Sequence, residues 1–132
     1  MEKTLCKLSL LVAFAFFLTL SPAWADGNSL LQSCQMAERS LDGENTNTDD
    51  FQQGFCMGLI HGVGSTMIAY DRVLIVPGVL SLEGPNTCWP EGLSNAQATR
   101  IVVKYLKDNP NQLHFDDYVL VMMALRNAFE CK

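Results

Sequence analysis

GFCMGLIHGVG, from Gly54 to Gly64, is the stretch on which the fold turns. Four glycines in eleven residues suit a turn or a phosphate loop, yet Phe55, Met57, Leu59, Ile60 and Val63 fill the gaps as they would in a buried helix. A phosphate loop needs GxxxxGK[ST], and no lysine lies near Gly62 or Gly64. A GxGxxG fingerprint is also missing. A membrane seam is excluded by Asp49, Asp50, Gln52, Gln53 and His61, which interrupt the segment. The remaining reading is a water-soluble helix. Gly54, Gly58 and Gly62 recur every fourth residue and form one bare stripe beside a ladder of Phe51, Phe55, Leu59, Val63 and Met67. Each interior glycine costs a helix about 1 kcal/mol against alanine. The stripe is therefore expected to lie against a neighbouring helix, close enough to offset about 3 kcal/mol.

Apolar periodicity places this helix among four, with no convincing strand. The first covers about 28–40, with Leu30, Leu31, Cys34 and Ala37 on one stripe, and the polar run LDGENTNT with Gly43 ends it. The second runs from about Asp49, where Asp49 and Gln52 have capping-box spacing, to Tyr70. A Pro- and Gly-rich loop follows, from Asp71 to Gly92. The third helix opens on another capping box, Ser94 with Gln97, and carries Ala98, Ile101, Val102, Tyr105 and Leu106 on one face. Asn109-Pro110 stops it. The last helix spans about 115–129. The fold expected is all-α, a small four-helix domain.

A leader precedes that domain. Lys3 and Lys7, a 13-residue uncharged run from Leu8 to Leu20 and the triplet Ala23-Trp24-Ala25 have the form of a secretory signal peptide. The run falls short of the roughly 20 apolar residues that span a bilayer. Cleavage is expected between Ala25 and Asp26, giving residues 1–25 as signal and 26–132 as one domain with no membrane segment. Of 14 acidic and 9 basic residues, Glu2, Lys3 and Lys7 leave with the signal, so the mature charge is −6. Nucleic acid and anionic membranes, which demand a basic face, are excluded. The acidic surface serves solubility or a basic protein partner.

Cys6 also leaves with the signal. Four cysteines remain, Cys34, Cys56, Cys88 and Cys131, and an even number in a small exported domain reads as two disulfides. No CxxC pair exists and only His61 and His114 could assist, so bridges are favoured over zinc, and no cofactor is expected. Helix lengths choose the pairing. Cys34 and Cys56 lie about 9 and 10 Å from their connecting turn, level in an antiparallel hairpin. Cys88 just precedes the third helix and Cys131 just follows the fourth, so those ends also meet. The expected bridges are Cys34–Cys56 and Cys88–Cys131, stabilising by about 3 and about 4 kcal/mol in the loop-entropy treatment.

YVLVMMAL, residues 118–125, is apolar around the whole helix circumference. Either it is the central helix of the bundle, or a second copy of the chain covers its outer face. VLIVPGVL, residues 73–80, adds apolar surface that packs on the bundle, joins that contact or meets a partner.

Catalysis finds no support. A thiol enzyme needs a free cysteine beside a histidine base, and all four cysteines are assigned to bridges. His61 is read as a hydrogen-bonded, half-buried side chain, with a proton-sensing or partner contact as the alternative. His114 caps or solvates the start of the last helix. Asp116 and Asp117 point 100° apart on a helix and favour its dipole, which is not the geometry of an acid/base pair.

GFCMGLIHGV, then CWPEG, IVVKYLKDNP, LH and ALRNAFEC, together resemble the Rap/Tai family of immunity proteins. The resemblance runs from Gly54 to Cys131 in the family's order. It implies a periplasmic, all-helical, disulfide-containing homodimer that blocks a cognate peptidoglycan amidase delivered by type VI secretion, protecting the producer and its siblings. Cys56, Gly58, Gly62, Cys88, Pro90, Gly92, Tyr105, Leu106, Pro110, Leu125, Phe129 and Cys131 match its pattern as scaffold positions; Glu130 stands where members commonly have proline. The effector contact is expected on the long loop, with Val79 and Leu80 filling a cleft and Asp71 and Glu83 meeting basic rim residues, or else that loop merely closes the bundle. A periplasmic helical chaperone is the competing function.

Overall fold

A computed structural model of the chain describes residues 26–44, 50–74 and 87–131, with the backbone alone at 73 and 74. Four α-helices form the bundle: α1 (Gly27–Leu41), α2 (Asp50–Leu74), α3 (Asn95–Asp108) and α4 (Asp117–Ala128), with one 3₁₀ turn at Pro110–Gln112. Among the described residues the only β pairings are isolated bridges, Asp26 with Asp116 and Thr87 with Glu130. The fold is all-α, as the periodicity predicts.

Local signals set most of the boundaries. Asp26 caps α1 by accepting from the Asn28 and Ser29 amides at 3.1 and 3.0 Å. Gly43 ends that helix at φ +78°, where a side chain would be strained. Ser94 and Gln97 form the reciprocal capping box of α3, the Gln97 amide to Ser94 Oγ at 3.2 Å and the Ser94 amide to Gln97 Oε1 at 3.0 Å. The expected cap Asp49 lies outside the described residues. α2 continues one turn beyond Tyr70, so Asp71 belongs to a helix and not to the loop. No glycine or proline intervenes between Gly64 and Pro77 to stop it earlier.

The core is a seam shared by all four helices. Leu30, Cys34 and Ala37 come from α1, Cys56, Ile60 and Met67 from α2, Val102, Val103 and Leu106 from α3, and Leu120, Val121, Ala124 and Leu125 from α4. α1 packs chiefly on α2 and α3, and α4 on α3 and α2. Buried Ser33 bonds both the Ser29 carbonyl, at 2.9 Å, and Gln52 across the α1–α2 seam. Cys34–Cys56 closes the same seam inside the core, and Cys88–Cys131 joins the segment before α3 to the segment after α4. Both bridges are those that the helix lengths predict.

One expectation about packing, the glycine stripe, is corrected, and the buried faces of α2 and α4 become visible. The Phe51 ladder is not the core stripe. Four residues turn a helix 40° past a full circle, so the ladder winds from Phe51, 73% exposed, to buried Met67, while Cys56, Ile60, Gly64 and Met67 face inward. The glycine stripe is not packed against a described neighbouring helix either: a Cβ added at Gly54, Gly58 or Gly62 would meet no atom of the described residues within 4 Å. Nor is α4 central. Its inner face is buried, but Tyr118 and Met122 are 53% and 40% exposed.

Close approach occurs instead at Gly27. Its amide donates to the Leu113 carbonyl at 3.0 Å, and a Cβ there would lie 2.4 Å from Leu120 Cδ1 and 2.8 Å from Leu113 Cα. The start of α1 is thereby fitted into the corner between the 3₁₀ turn and α4.

Candidate functional site

Two concave surfaces flank α2. The larger, of about 700 Å³, lies between α2 and the segment that leads into α3. Cys88 anchors that segment: its disulfide holds Cys131, and its amide donates to the Phe129 carbonyl at 2.7 Å. Trp89 follows, packed on Phe129 with ring centroids 5.5 Å apart. Gly92, at φ +76°, then turns the chain from Trp89 to the α3 cap at Ser94. Across the cleft, α2 presents His61, Ser65, Ile68, Asp71 and Arg72. Gly64 forms part of the floor, where a Cβ would touch the Trp89 ring and Leu125 at ordinary contact distances of 3.8 and 3.7 Å.

Asp71 alone among the four expected effector-contact residues is described, and it lines this cleft; Val79, Leu80 and Glu83 fall outside the described residues. Its Oδ2 is buried and has no hydrogen-bond partner among the described residues, and the same holds for Trp89 Nε1. His61 is exposed at the cleft and makes no hydrogen bond among the described residues, which corrects its reading as a hydrogen-bonded, half-buried side chain. Trp89 was not singled out by sequence reasoning. CWPEG marked a scaffold turn, and only the covalent anchor at Cys88 could have hinted that the adjoining side chain is held in place.

The second surface, of about 370 Å³, lies on the outer side of α2 and α4. Gly58 and Gly62 form its bare floor, with Leu59, Val63, Tyr118 and Met122 around them. It is almost wholly apolar. The glycines matter here because they lower the helix surface and so create the groove.

His114 stacks on Phe115 with centroids 4.3 Å apart, at the entry to α4. Asp116 occupies the N-cap position and Asp117 the first turn, where Asp117 accepts from the Tyr118 amide at 2.6 Å. Both acids sit at the positive end of the helix, consistent with a dipole role. Among the described residues no group of three or more His, Cys, Asp or Glu side chains could hold a metal ion, and no helix is long and apolar enough to cross a membrane.

These elements define a disulfide-tied, all-α four-helix domain with two open grooves beside one helix. Over residues 26–131 its sequence matches the model of the Rap1a immunity proteins, and the chain belongs to that family. No curated protein and no solved structure matches it. Several positions shared with the related pattern now have physical roles: Cys56, Leu106 and Leu125 fill the core, Tyr105 donates to Gln112 Oε1 at 2.7 Å, and Phe129 backs Trp89. Gly58 and Gly62 are the exceptions, since nothing among the described residues requires them.

Proposed function

We propose that this protein is a periplasmic immunity protein that binds and blocks a peptidoglycan amidase delivered by type VI secretion, without chemistry of its own. The observation that carries this reading is the family match across the whole folded domain, residues 26–131. The match begins at Asp26, the residue expected after signal cleavage. Two disulfides suit an oxidising compartment, and the acidic mature chain suits a basic partner. Deleting the gene and challenging the strain with siblings that deliver their amidase tests the function. Loss of survival, restored by the gene and accompanied by amidase recovery on the tagged protein, is the expected result. Unchanged survival with no amidase recovered sinks the immunity reading and favours the chaperone.

The protein acts as a homodimer in this reading, with the α2–α4 groove as the contact. Tyr118 and Met122 expose apolar surface beside the bare glycines, so two helical faces can approach closely. Light scattering at micromolar concentration should give twice the chain mass. Met122→Asp should give a folded monomer, because Met122 is 40% exposed and an aspartate there is solvated until a second copy covers it. A wild-type monomer at high concentration excludes the dimer.

A further inference from the structure

The two disulfides lie in opposite surroundings. Cys34 and Cys56 are both 0% exposed, sealed in the core seam between α1 and α2. Cys88 is exposed and Cys131 half-buried, and both belong to segments outside the helices. Beyond its main chain a cysteine has only Cβ and Sγ, and the Cys88 amide is turned onto the Phe129 carbonyl. The exposed part of Cys88 therefore takes in the arm that carries its sulfur.

A thiolate opens a disulfide by attacking one of its sulfurs, so the rate depends on access to that sulfur. For Cys34–Cys56, access requires α1 and α2 to part. For Cys88–Cys131, no helix has to move. Exposed bridges are the labile and regulatory ones, and buried bridges the structural ones.

The contact around the outer bridge also outlasts its bond. The Cys88 amide donates to the Phe129 carbonyl at 2.7 Å, Thr87 pairs with Glu130, and the Trp89 ring packs on Phe129. None of these contacts uses sulfur. They hold the two thiols opposite each other once the bridge is open, so the same ring closes again on oxidation.

We infer that Cys88–Cys131 is a reversible thiol–disulfide exchange site on the folded domain, opened by a dithiol reductant that enters at Cys88 Sγ, while Cys34–Cys56 is permanent. One thiolate of the reductant bonds to Cys88 Sγ as the S–S bond breaks, and the electron pair leaves on Cys131 Sγ, which takes a proton from water. The second thiolate then attacks the reductant's own sulfur in the mixed disulfide. Cys88 leaves as a thiolate and is protonated, and the reductant departs oxidised to its disulfide. The bridge is the covalent anchor of the segment that walls the larger cleft, so its opening loosens that wall and spares the core. This chemistry does not rest on the proposed immunity function.

Differential alkylation tests the site. The processed protein, which lacks Cys6, is treated with dithiothreitol under native conditions, quenched with iodoacetamide at intervals and mapped by mass spectrometry. Cys88 and Cys131 should be alkylated together, faster than Cys34 and Cys56 by about a hundredfold or more, since the buried pair reacts only when the core opens. In denaturant the two pairs should react at similar rates. The helical circular dichroism should persist after Cys88 and Cys131 are reduced, and oxidised glutathione should restore the same pairing. Reduced glutathione in place of dithiothreitol should be captured on Cys88. Equal native rates for the two pairs, earlier opening of Cys34–Cys56, loss of helix when Cys88–Cys131 opens, or glutathione captured on Cys131 overturns the inference.

Discussion

Glycine does opposite work at the start of α1 and along the outer side of α2. Gly27 lies so close to Leu113 and Leu120 that an added methyl would overlap both, two of its three nearest atoms being backbone. Gly54, Gly58 and Gly62 have no atom of the described residues within 4 Å of such a methyl. The first glycine is explained by the chain's own packing. The other three each forgo up to about 1 kcal/mol of helix propensity with no close neighbour among the described residues to account for them. Spacing alone marks the second set as a close-contact stripe and passes over the first entirely.

The sharpest test of this contrast is Gly27→Ala. Backbone atoms of Leu113 cannot rotate away, so α1 must shift at its N-terminus, and overpacking of this kind costs about 1–3 kcal/mol. Chemical denaturation should show a lower midpoint with an unchanged slope. Stability equal to wild type would mean that the corner between the 3₁₀ turn and α4 is looser than the distances indicate.

Gly58→Ala should move the other way, and by less. With no atom of the described residues near the new methyl, helix propensity raises the stability of the isolated chain by up to about 1 kcal/mol. The same methyl fills the groove floor and should weaken self-association. Melting followed across a range of protein concentrations separates the two effects: a gain at low concentration that shrinks or reverses at high concentration is expected. A gain independent of concentration would remove this face as the dimer contact.

Acid should bear on the closed region first through Asp26, and this effect is the smallest. The Ser29 and Asn28 amides hold the Asp26 carboxyl below the usual aspartate value, and desolvation only partly opposes them. A lowered folded value means that the cap is fully stabilising above the ordinary aspartate pKa and is lost as pH falls through the folded one. Asp26→Asn should therefore flatten the acid limb of the stability curve. An unchanged limb would show that the cap does not titrate with unfolding.

Legibility in the sequence followed the range of the interaction. The capping box at Ser94 and Gln97 spans three residues, and the sequence alone suffices to read it. The disulfide pairing was readable because helix rise converts residue number into length, so Cys34 and Cys56 had to come level. Periodicity told which residues share a face of α2 but not which neighbour covers that face. That is why the glycine stripe was expected against a neighbouring helix, whereas the core seam of α2 is Cys56, Ile60 and Gly64. The same gap left α4 undecided between a central place and a face covered by a second copy, since an apolar surface reads alike whether it is covered or exposed. Asp71 was singled out for its charge in a loop, and it proved to be the end of a helix. Its meeting with Trp89 depends on the path of the chain between them, for which no local pattern exists.

The two disulfides have one further consequence, and it concerns connectivity. Cys34–Cys56 encloses residues 34–56 and Cys88–Cys131 encloses residues 88–131, so the bridges form two covalent rings in series that neither nest nor interlock. A single backbone cut inside either ring leaves one molecule, its pieces still tied by sulfur. A cut in the tether between the rings, from Met57 to Thr87, yields two. The chain is thus doubly connected around each ring and singly connected along the tether, whose first half is the helix that walls both grooves. One scission there would part the α1 ring from the α3–α4 ring, and with them the two walls of the Asp71 cleft wherever the cut falls beyond Asp71.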